Sequence, residues 1–301
     1  MNTRQLKYVF TLAKDGSFSK AAETLGISQP SLSQYIKKIE EQIGLPLFDR
    51  TNGEVRLTDA GQVFIESGRK IIDLEHQMES QLADLSAHRT GSLVIGAAPY
   101  RTTCMLPIIA KRFQAIHPGM HLIVREGVTT ELAEGMEHGD YDLCLTMLPI
   151  DDRIFAWRKI MEEELLLAVP AAHPPLRAKR LPGRKYQAID VRYLDGKRLV
   201  KLTEAQYMQR LLDNLSADYG LSIGTAAVVK SLGAQVSMVR AGVGLALLPS
   251  GIERFCGKDE VAFYSFVQEL PRREVVVMWR KECRLSTVAE ELKSVICDIS
   301  W

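Results

Sequence analysis

The sequence lacks the features of secreted, membrane-spanning and disulfide-stabilised proteins. No basic segment leads into an apolar run after Met1, and no stretch reaches the ~18 apolar residues needed to cross a bilayer. Its five cysteines form no CxxC pair, which favours reduced thiols over a disulfide framework. We therefore expect a cytoplasmic protein with no membrane partner, whose cysteines serve as small apolar side chains.

Motifs of common enzyme classes are also missing. There is no HExxH, GxSxG or Walker A glycine loop, and Gly242–Gly244 lacks the third glycine and the preceding strand of a dinucleotide site. The closest histidine pair, His117 and His121, is interrupted by Pro118-Gly119, so the two cannot share a helix face as metal ligands. We therefore expect no enzymatic activity, no metal and no cofactor.

Size and charge leave several classes open. At ~150 residues per domain, a chain of this length has two or three domains. Its 301 residues carry a net charge of +1, with 46% hydrophobic and 25% charged residues, as in ordinary globular proteins. Any basic surface must therefore be confined to one region.

Two short helices joined by a tight turn are predicted near the start of the chain. Apolar residues in Gln5–Lys14 recur at i, i+3, i+4 and i+7, which indicates a first helix. Ser17 or Ser19 can cap a second helix over Lys20–Leu25. Gly26 then supplies the left-handed residue that ends this helix.

A third helix has one apolar and one polar, cationic side. Ser28 caps it, Pro30 occupies its first turn, and it runs to about Gln42. The residues expected to point inward are Leu32, Tyr35, Ile36 and Ile39. The opposite face suits base edges and phosphates, and the predicted DNA contacts are Ser28, Gln29, Pro30, Ser31, Ser33, Gln34, Lys37 and Lys38. Taken alone, this face also fits a solvated surface helix.

A hairpin follows the third helix. Leu47-Phe48 and Val55–Leu57 are typical of short strands, and Asn52-Gly53 favours a tight turn between them. Arg50 and Arg56 flank this hairpin and can contact a phosphate backbone or a minor groove.

The segment SFSKAAETLGISQPSLSQYIKKIEEQIGLPLFDRTNGEVRLTDAG resembles the DNA-binding domain of LysR-type transcriptional regulators. It carries their AA-x-x-L helix, SQP-x-x-S, the E-x-x-x-G-x-x-LF-x-R segment and LT-x-x-G in order. The resemblance implies a winged helix-turn-helix that binds double-stranded DNA. Lys20, a further predicted DNA contact, stands where the family usually has arginine and lacks its bidentate geometry. Asn52-Gly53-Glu54 also departs from the family, which more often has a basic residue near this tip.

One long helix is predicted over Asp59–His88, which contains no proline. Large apolar residues recur along it at heptad-like intervals, namely Phe64, Ile71, Leu74, Met78, Leu82 and Leu85. Such a stripe is costly to expose, so we expect it to pair with a second copy of the chain. Packing onto the chain's own domain is the alternative. The resemblance implies a homodimer through this helix and a homotetramer built from dimers.

Beyond Gly91, strands and helices alternate. Strands are predicted at residues 92–97, 121–125, 141–146, 164–169, 198–202, 244–248 and 274–279. This alternation favours a parallel α/β sheet. The resemblance, which VRAGVGLALLP and GDYDLCLT extend, implies a two-lobed effector domain similar to periplasmic solute-binding proteins.

The predicted fold class is therefore α/β overall, with a mainly helical winged helix-turn-helix, a linker helix and a two-lobed α/β effector domain. The predicted boundaries are 1–58, 59–90 and 91–301. Lobe one takes about 91–163 and 267–301, and lobe two takes about 164–266.

Ligands of open α/β sheets bind beyond the carboxyl ends of the strands, and here the loops at those ends are rich in hydroxyl groups. The predicted effector contacts are Tyr100, Arg101, Thr102, Thr103, Thr129, Thr146 and Thr203. Free N–H groups at the helix start after Pro99 favour an anion. Thr129 and Thr203 also fit as helix N-caps, and Arg101 as a surface charge.

These features predict a sequence-specific transcription regulator whose small, anionic effector binds between two lobes. A plain solute-binding protein would explain only the second module, and the helix-turn-helix argues against it. A thiol-based redox-sensing regulator of the same architecture would use Cys104 and another cysteine. It requires an exposed thiol with a low pKa.

Overall fold

The computed structural model describes residues 3–49, 55–85, 91–204, 206–257 and 259–301. The chain divides into two compact units, Met1–Ala87 and His88–Trp301. No helix in these ranges is long and apolar enough to span a membrane.

The first unit begins with three helices, α1 (Thr3–Asp15), α2 (Phe18–Leu25) and α3 (Gln29–Ile43). Gly26 ends α2 in the left-handed conformation, with φ of 65°, and Ser28 Oγ accepts a hydrogen bond from Ser31 N, both as predicted. Ser17 takes the N-cap position of α2, as one of the two predicted residues. The predicted capping bond is wrong, because the Ser17 side chain accepts no hydrogen bond from the helix.

The core of this unit confirms three of the four inward positions on α3. Leu32, Ile36 and Ile39 are buried, but the fourth, Tyr35, is 40% exposed. Its ring meets the edge of Tyr8 on α1 at 5.1 Å between centroids, which leaves much of the phenol at the surface.

Two short antiparallel strands, β1 (Phe48–Asp49) and β2 (Arg56–Leu57), form the base of the predicted hairpin. The predicted turn at Asn52-Gly53 lies outside the described residues, as does Arg50.

The LT-x-x-G motif joins the hairpin to α4 (Asp59–Leu85). Thr58 Oγ1 donates to the Pro46 carbonyl at 2.6 Å and accepts from Gly61 N at 3.0 Å. A Cβ on Gly61 would stand 2.2 Å from the Leu47 carbonyl oxygen. The glycine therefore permits a close approach between the helix and the residue that precedes β1.

The second unit contains a five-stranded sheet, which we call sheet I. Its order is β4-β3-β5-β13-β6. The strands are β3 (Gly91–Ala97), β4 (Met120–Glu126), β5 (Leu143–Met147), β6 (Phe155–Glu163) and β13 (Arg273–Arg280). The helices of this region are α5 (Pro99–Cys104), α6 (Leu106–Ile116), α7 (Thr129–His138) and α10 (Thr287–Asp298).

A four-stranded sheet, sheet II, has the order β11-β7-β12-β8. Its strands are β7 (Leu165–Pro170), β8 (Ala188–Ile189), β11 (Ala246–Pro249) and β12 (Val261–Phe266). A parallel pair, β9 (Arg198–Leu202) and β10 (Gly224–Val229), packs beside it with α8 (Tyr207–Tyr219) and α9 (Leu232–Arg240). Each sheet has its own hydrophobic core, so we call the two regions lobe one and lobe two.

The prediction of a parallel sheet is wrong in part. Strand β3 runs parallel to β4 and β5, but β13 is antiparallel to both of its neighbours in sheet I. In sheet II, β7 is antiparallel to β11 and β12. The chain passes from β6 directly into β7 and returns from β12 into β13. These connections therefore join the two sheets and are not helical crossovers between parallel strands of one sheet.

Candidate functional site

The outer side of α3 presents most of the predicted DNA contacts. Ser31 and Ser33 are half-buried, and the others on this helix and its cap are exposed, namely Ser28, Gln29, Pro30, Gln34, Lys37 and Lys38. Lys20 on α2 and Arg56 on β2 are exposed as well. This helix therefore offers amide, hydroxyl and ammonium groups together, which can read base edges and neutralise phosphates.

Two local interactions tie up groups on this face. The Ser28 and Ser31 hydroxyls lie 2.7 Å apart, so the N-cap occupies both. Lys37 lies 3.8 Å from Glu41, one turn along the helix, in an exposed ion pair. Gln34 and Lys38 are thus the clearest candidates for base and phosphate contacts, respectively.

A half-buried residue of α3 orients the hairpin. Glu40 Oε1 accepts hydrogen bonds from Leu47 N at 2.8 Å and Phe48 N at 3.2 Å. The start of β1 is thereby fixed to α3, the helix that carries most of the predicted DNA contacts.

In the second unit, three buried charged residues meet where the lobes join. Arg101 on α5, Glu163 at the end of β6 and Arg273 at the start of β13 are 2%, 1% and 4% exposed. Glu163 Oε2 lies 3.5 Å from Arg101 Nη2 and 3.9 Å from Arg273 Nη1. We call these three residues the charge cluster.

The charge cluster holds two guanidinium groups against one carboxylate, a surplus of one positive charge. Arg101 Nη2, Glu163 Oε2 and Arg273 Nε have no hydrogen-bond partner among the described residues. Arg273 directs Nη1 at Met208 Sδ and Nη2 at Met147 Sδ, and a thioether is a weak acceptor. Buried donors in this state favour a stronger, anionic acceptor.

Tyr100 connects the charge cluster to both lobes. Its ring packs against the two hydrophobic cores, and its hydroxyl donates to Glu163 Oε1 at 3.0 Å. Burial and the Glu163 carboxylate raise the pKa of Tyr100, which keeps the hydroxyl protonated as a donor. Gly251 of lobe two allows this contact, because a Cβ there would stand 2.4 Å from the Tyr100 hydroxyl.

The structure brings Tyr100 and Arg101 of the predicted effector contacts together in this region. Thr146 is buried on β5, beside the Met147 that faces Arg273. Thr102 and Thr103 donate their hydroxyls back to the carbonyls of Ala98 and Pro99, respectively.

The alternative roles considered for three of these residues are wrong. Val128 and Gln206 precede α7 and α8 as N-caps, so neither Thr129 nor Thr203 takes that role. Thr203 Oγ1 accepts from Gln206 Nε2 at 3.2 Å instead. Arg101 is buried rather than a surface charge.

Two backbone N–H groups near the start of α5 are already used within the helix. Pro99 has no N–H, and Arg101 N and Thr102 N donate to the Ala98 carbonyl at 2.7 and 3.1 Å. The Arg101 guanidinium is therefore the clearest candidate donor for an anion in this loop.

Glu163 and Arg273 are the members of the charge cluster that sequence patterns missed. Each lies in a run of three charged residues that borders an apolar segment. Glu163 ends β6 as the middle residue of Glu162–Glu164 before LLLAV, and Arg273 is the middle residue of Arg272–Glu274 before VVVM.

Two cysteines lie inside lobe one with little access to solvent. Cys104 is 7% exposed and Cys144 is fully buried. Burial raises the pKa of the Cys104 thiol to about 11 and that of Cys144 to about 12. Both thiols stay protonated near neutral pH, which opposes the redox alternative for Cys104.

We expect Cys104 and Cys144 to resist iodoacetamide at pH 7.5 in the folded protein. A pKa of about 11 leaves roughly one thiol in 3,000 as the reactive thiolate, and burial slows access further. Peptide mass spectrometry would measure the labelling rates, with urea-unfolded protein as the control in which all five cysteines react. Rapid labelling of folded Cys104 would restore the redox alternative.

Comparison with known proteins places both units in one family. Residues 3–62 match "Bacterial regulatory helix-turn-helix protein, lysR family", and residues 86–297 match "LysR substrate binding domain". The uncharacterized HTH-type transcriptional regulator YcgK of Bacillus subtilis is 30% identical, over 96% of this chain and 92% of that protein. The DNA-binding transcriptional dual regulator OxyR of Escherichia coli is 26% identical, over 98% and 95%.

A solved structure shows the same fold along the whole chain. A full-length OxyR variant from Pseudomonas aeruginosa aligns with a TM-score of 0.70 and 24% identity. The alignment covers 100% of this chain and 96% of that one.

Proposed function

Because the chain belongs to the LysR family of transcription regulators, and so is a DNA-binding regulator with an effector-binding domain, we propose that its effector is a small anion. The anion binds between the two lobes, beside the charge cluster. The surplus buried positive charge of Arg101 and Arg273 over Glu163 carries this proposal. We propose no enzymatic activity, metal or cofactor.

A carboxylate suits this position chemically. An arginine fork binds a carboxylate through two parallel, charge-assisted hydrogen bonds. The Arg273 donors that face Met147 and Met208 would exchange a thioether for a carboxylate oxygen. Among the other predicted effector contacts, Thr129, Thr146 and Thr203 would donate their hydroxyl hydrogens. Thr102 and Thr103, whose hydroxyls already donate to backbone carbonyls, would accept.

For the DNA-binding unit, we propose that α3 enters the major groove. Gln34, Gln29 and Ser33 face base edges, and Lys38, Lys37 and Lys20 neutralise phosphates. Ser28, Pro30 and Ser31 bring the start of the helix to the backbone, with Arg50 and Arg56 on the hairpin. The exposure of Gln34 and Lys38 one turn apart supports this division.

We propose boundaries at residues 58 and 90, with 59–90 as the linker helix. Leu74, Met78 and Leu82 on α4 are 64%, 56% and 59% exposed, which supports pairing with a second copy. Dimers then pair into tetramers, as the family implies. Because bacterial DNA lies in the cytoplasm, we place the protein there. An effector shifts the regulator only by binding one of its states more tightly than the other.

Replacing Leu74 and Leu82 by glutamate should break the dimer. The dimer would then bury four carboxyl groups along the paired helices. Each would have to take up a proton or remain charged without a counter-ion, and both are costly. Sedimentation velocity should report dimer or tetramer for the wild type and monomer for the double variant. Lys70→Glu, which changes an exposed charge on the same helix, is the control. A double variant that sediments like the wild type would exclude pairing through this stripe.

The anion proposal is tested with Arg273→Met in the full-length protein. This variant removes the surplus charge but leaves Arg101 and Glu163 as a neutral pair, so we expect only a small loss of stability. A panel of small carboxylates should raise the melting temperature of the wild type, since a ligand at 100 times its Kd adds ~2.7 kcal/mol of stability. In Arg273→Met, the Kd of the active compound should rise at least about tenfold, because a charge-assisted hydrogen bond contributes ~1.5–3 kcal/mol.

The neighbouring arginine gives a matched control. Arg272 is exposed and pairs with Glu162 on the outside of the same crossing, so Arg272→Met should respond to the compound like the wild type. If the compound stabilised Arg272→Met as weakly as Arg273→Met, the anion would not bind at the charge cluster. If no anion stabilises the wild type, the effector class itself is wrong.

A further inference from the structure

A basic loop, residues 171–187, connects β7 and β8 in lobe two. It contains five arginine and lysine residues, and no acidic residue occurs between Glu164 and Asp190. The cations are Arg177, Lys179, Arg180, Arg184 and Lys185. A chain with a net charge of only +1 therefore concentrates positive charge here.

The fold holds this loop in a defined shape. Leu176 and Ala178 pack against the core of lobe two, so the intervening Arg177 points outward. Lys179 and Ala188 exchange two backbone hydrogen bonds of 2.8 and 2.7 Å. Arg177, Lys179 and Arg180 are all exposed. Because the backbone is already ordered, contacts from these side chains require less loss of entropy than contacts from a free loop.

Neighbouring acids neutralise only part of this charge. Lys185 forms an ion pair with Glu253, and Arg184 donates to the Phe266 carbonyl. Asp190 interacts with Lys179, although its Oδ1 accepts from Arg192 N at 2.8 Å. Arg177 and Arg180 form no ion pair within the described part of the chain.

We propose that the basic loop binds the phosphate backbone of the same DNA molecule that the DNA-binding unit of the chain binds. Three exposed cations within four residues fit a linear polyanion, whose phosphates recur at short intervals. Covalent attachment to a DNA-binding unit raises the effective concentration of phosphate around the loop.

The composition of the loop favours DNA over an acidic protein. Protein interfaces are centred on buried aromatic or large apolar anchors. Here the exposed residues besides the cations are small or polar, such as Ala172, Pro182 and Gln187. The larger apolar residues, Leu176 and Leu181, are half-buried.

The test measures binding of the full-length protein to a long random-sequence duplex over a range of NaCl concentrations. In the variant Arg177→Gln/Lys179→Gln/Arg180→Gln, the salt slope should fall by about 1 for each phosphate that is no longer neutralised, and so by about 3 per bound loop. Affinity at low salt should fall at least about tenfold. Thermal midpoints should match the wild type, because all three side chains are exposed.

Two control variants make the result specific. Arg177→Lys/Lys179→Arg/Arg180→Lys keeps the charge at the same positions and should keep the wild-type slope. Lys111→Gln/Arg112→Gln/Arg284→Gln removes three exposed cations elsewhere in the same unit and should change the slope little. An unchanged slope in the loop variant, an equal fall in the second control, or a wild type that does not bind the duplex would each overturn the proposal.

Discussion

Glu163→Gln should lower the free energy of unfolding of the effector domain by about 3–5 kcal/mol, the usual cost of removing one partner from a buried ion pair. The amide keeps the shape of the side chain, and its oxygen can still accept from the Tyr100 hydroxyl. Only the charge is lost, and Arg101 and Arg273 then stand buried without a counter-ion. Urea denaturation followed by the tryptophan fluorescence of this domain would measure the change.

The residue before Glu163 provides the control. Glu162 lies on the same strand but faces outward, with Lys159 and Arg272 as partners. Glu162→Gln should cost no more than about 1 kcal/mol, as for other exposed ion pairs. Combining Glu163→Gln with Arg273→Met returns the cluster to its original surplus of one positive charge and should recover part of the stability. Equal losses at residues 162 and 163, or additive losses in the double variant, would contradict this account.

Gln34→Ala should weaken binding to the operator by ~1–3 kcal/mol and leave binding to random DNA nearly unchanged, if the amide reads a base edge. Lys38→Ala should weaken both and lower the salt slope by about 1, if the ammonium neutralises a phosphate. Fluorescence anisotropy with operator and random duplexes at several salt concentrations would separate the two effects.

The two residues control for each other, since both are exposed and lie one turn apart on α3. Equal losses on the two duplexes for both variants would remove the assigned roles. Tyr35→Phe, which retains the ring contact with Tyr8, should bind both duplexes like the wild type.

Sequence patterns predicted the DNA-binding unit closely because its determinants are local. Gly26, Ser28 and Pro30 fix the ends of helices through their own backbone and side-chain bonds, and short periodic segments fix their faces. Tyr35 was misplaced because an apolar ring at a core position can also rest on a neighbouring ring at the surface. That choice depends on Tyr8, which lies on another helix.

The effector domain was less predictable because its sheets depend on where the chain crosses between lobes. Strand β6, FAWRKIMEE, mixes five apolar residues with four charged ones and is partly exposed, so it contains no long apolar run from which a strand is predicted. Because β6 and β12 were not predicted, the direct β6–β7 and β12–β13 connections between the sheets were not predicted either. The remaining alternation of strands and helices then favoured a parallel sheet.

Sequence patterns predicted only part of the candidate effector site, namely Tyr100 and Arg101. Arg101 follows the first strand, where loops of α/β sheets carry ligands, and the pattern led to it. Glu163 and Arg273 are brought to it by the two crossing strands, across large separations in sequence. Each stands in a run of three charged residues beside an apolar segment, and only the fold shows which residue of each run is buried and that the two meet.

The most direct test of the regulator is binding of the purified protein to DNA upstream of its own gene, titrated with salt, with and without a panel of small carboxylates. We expect saturable, sequence-dependent binding that one compound alters in the wild type but not in Arg273→Met. Specific binding that no anion changes but that oxidant abolishes would contradict the anion-sensing account, and the absence of specific binding would contradict its role as a regulator.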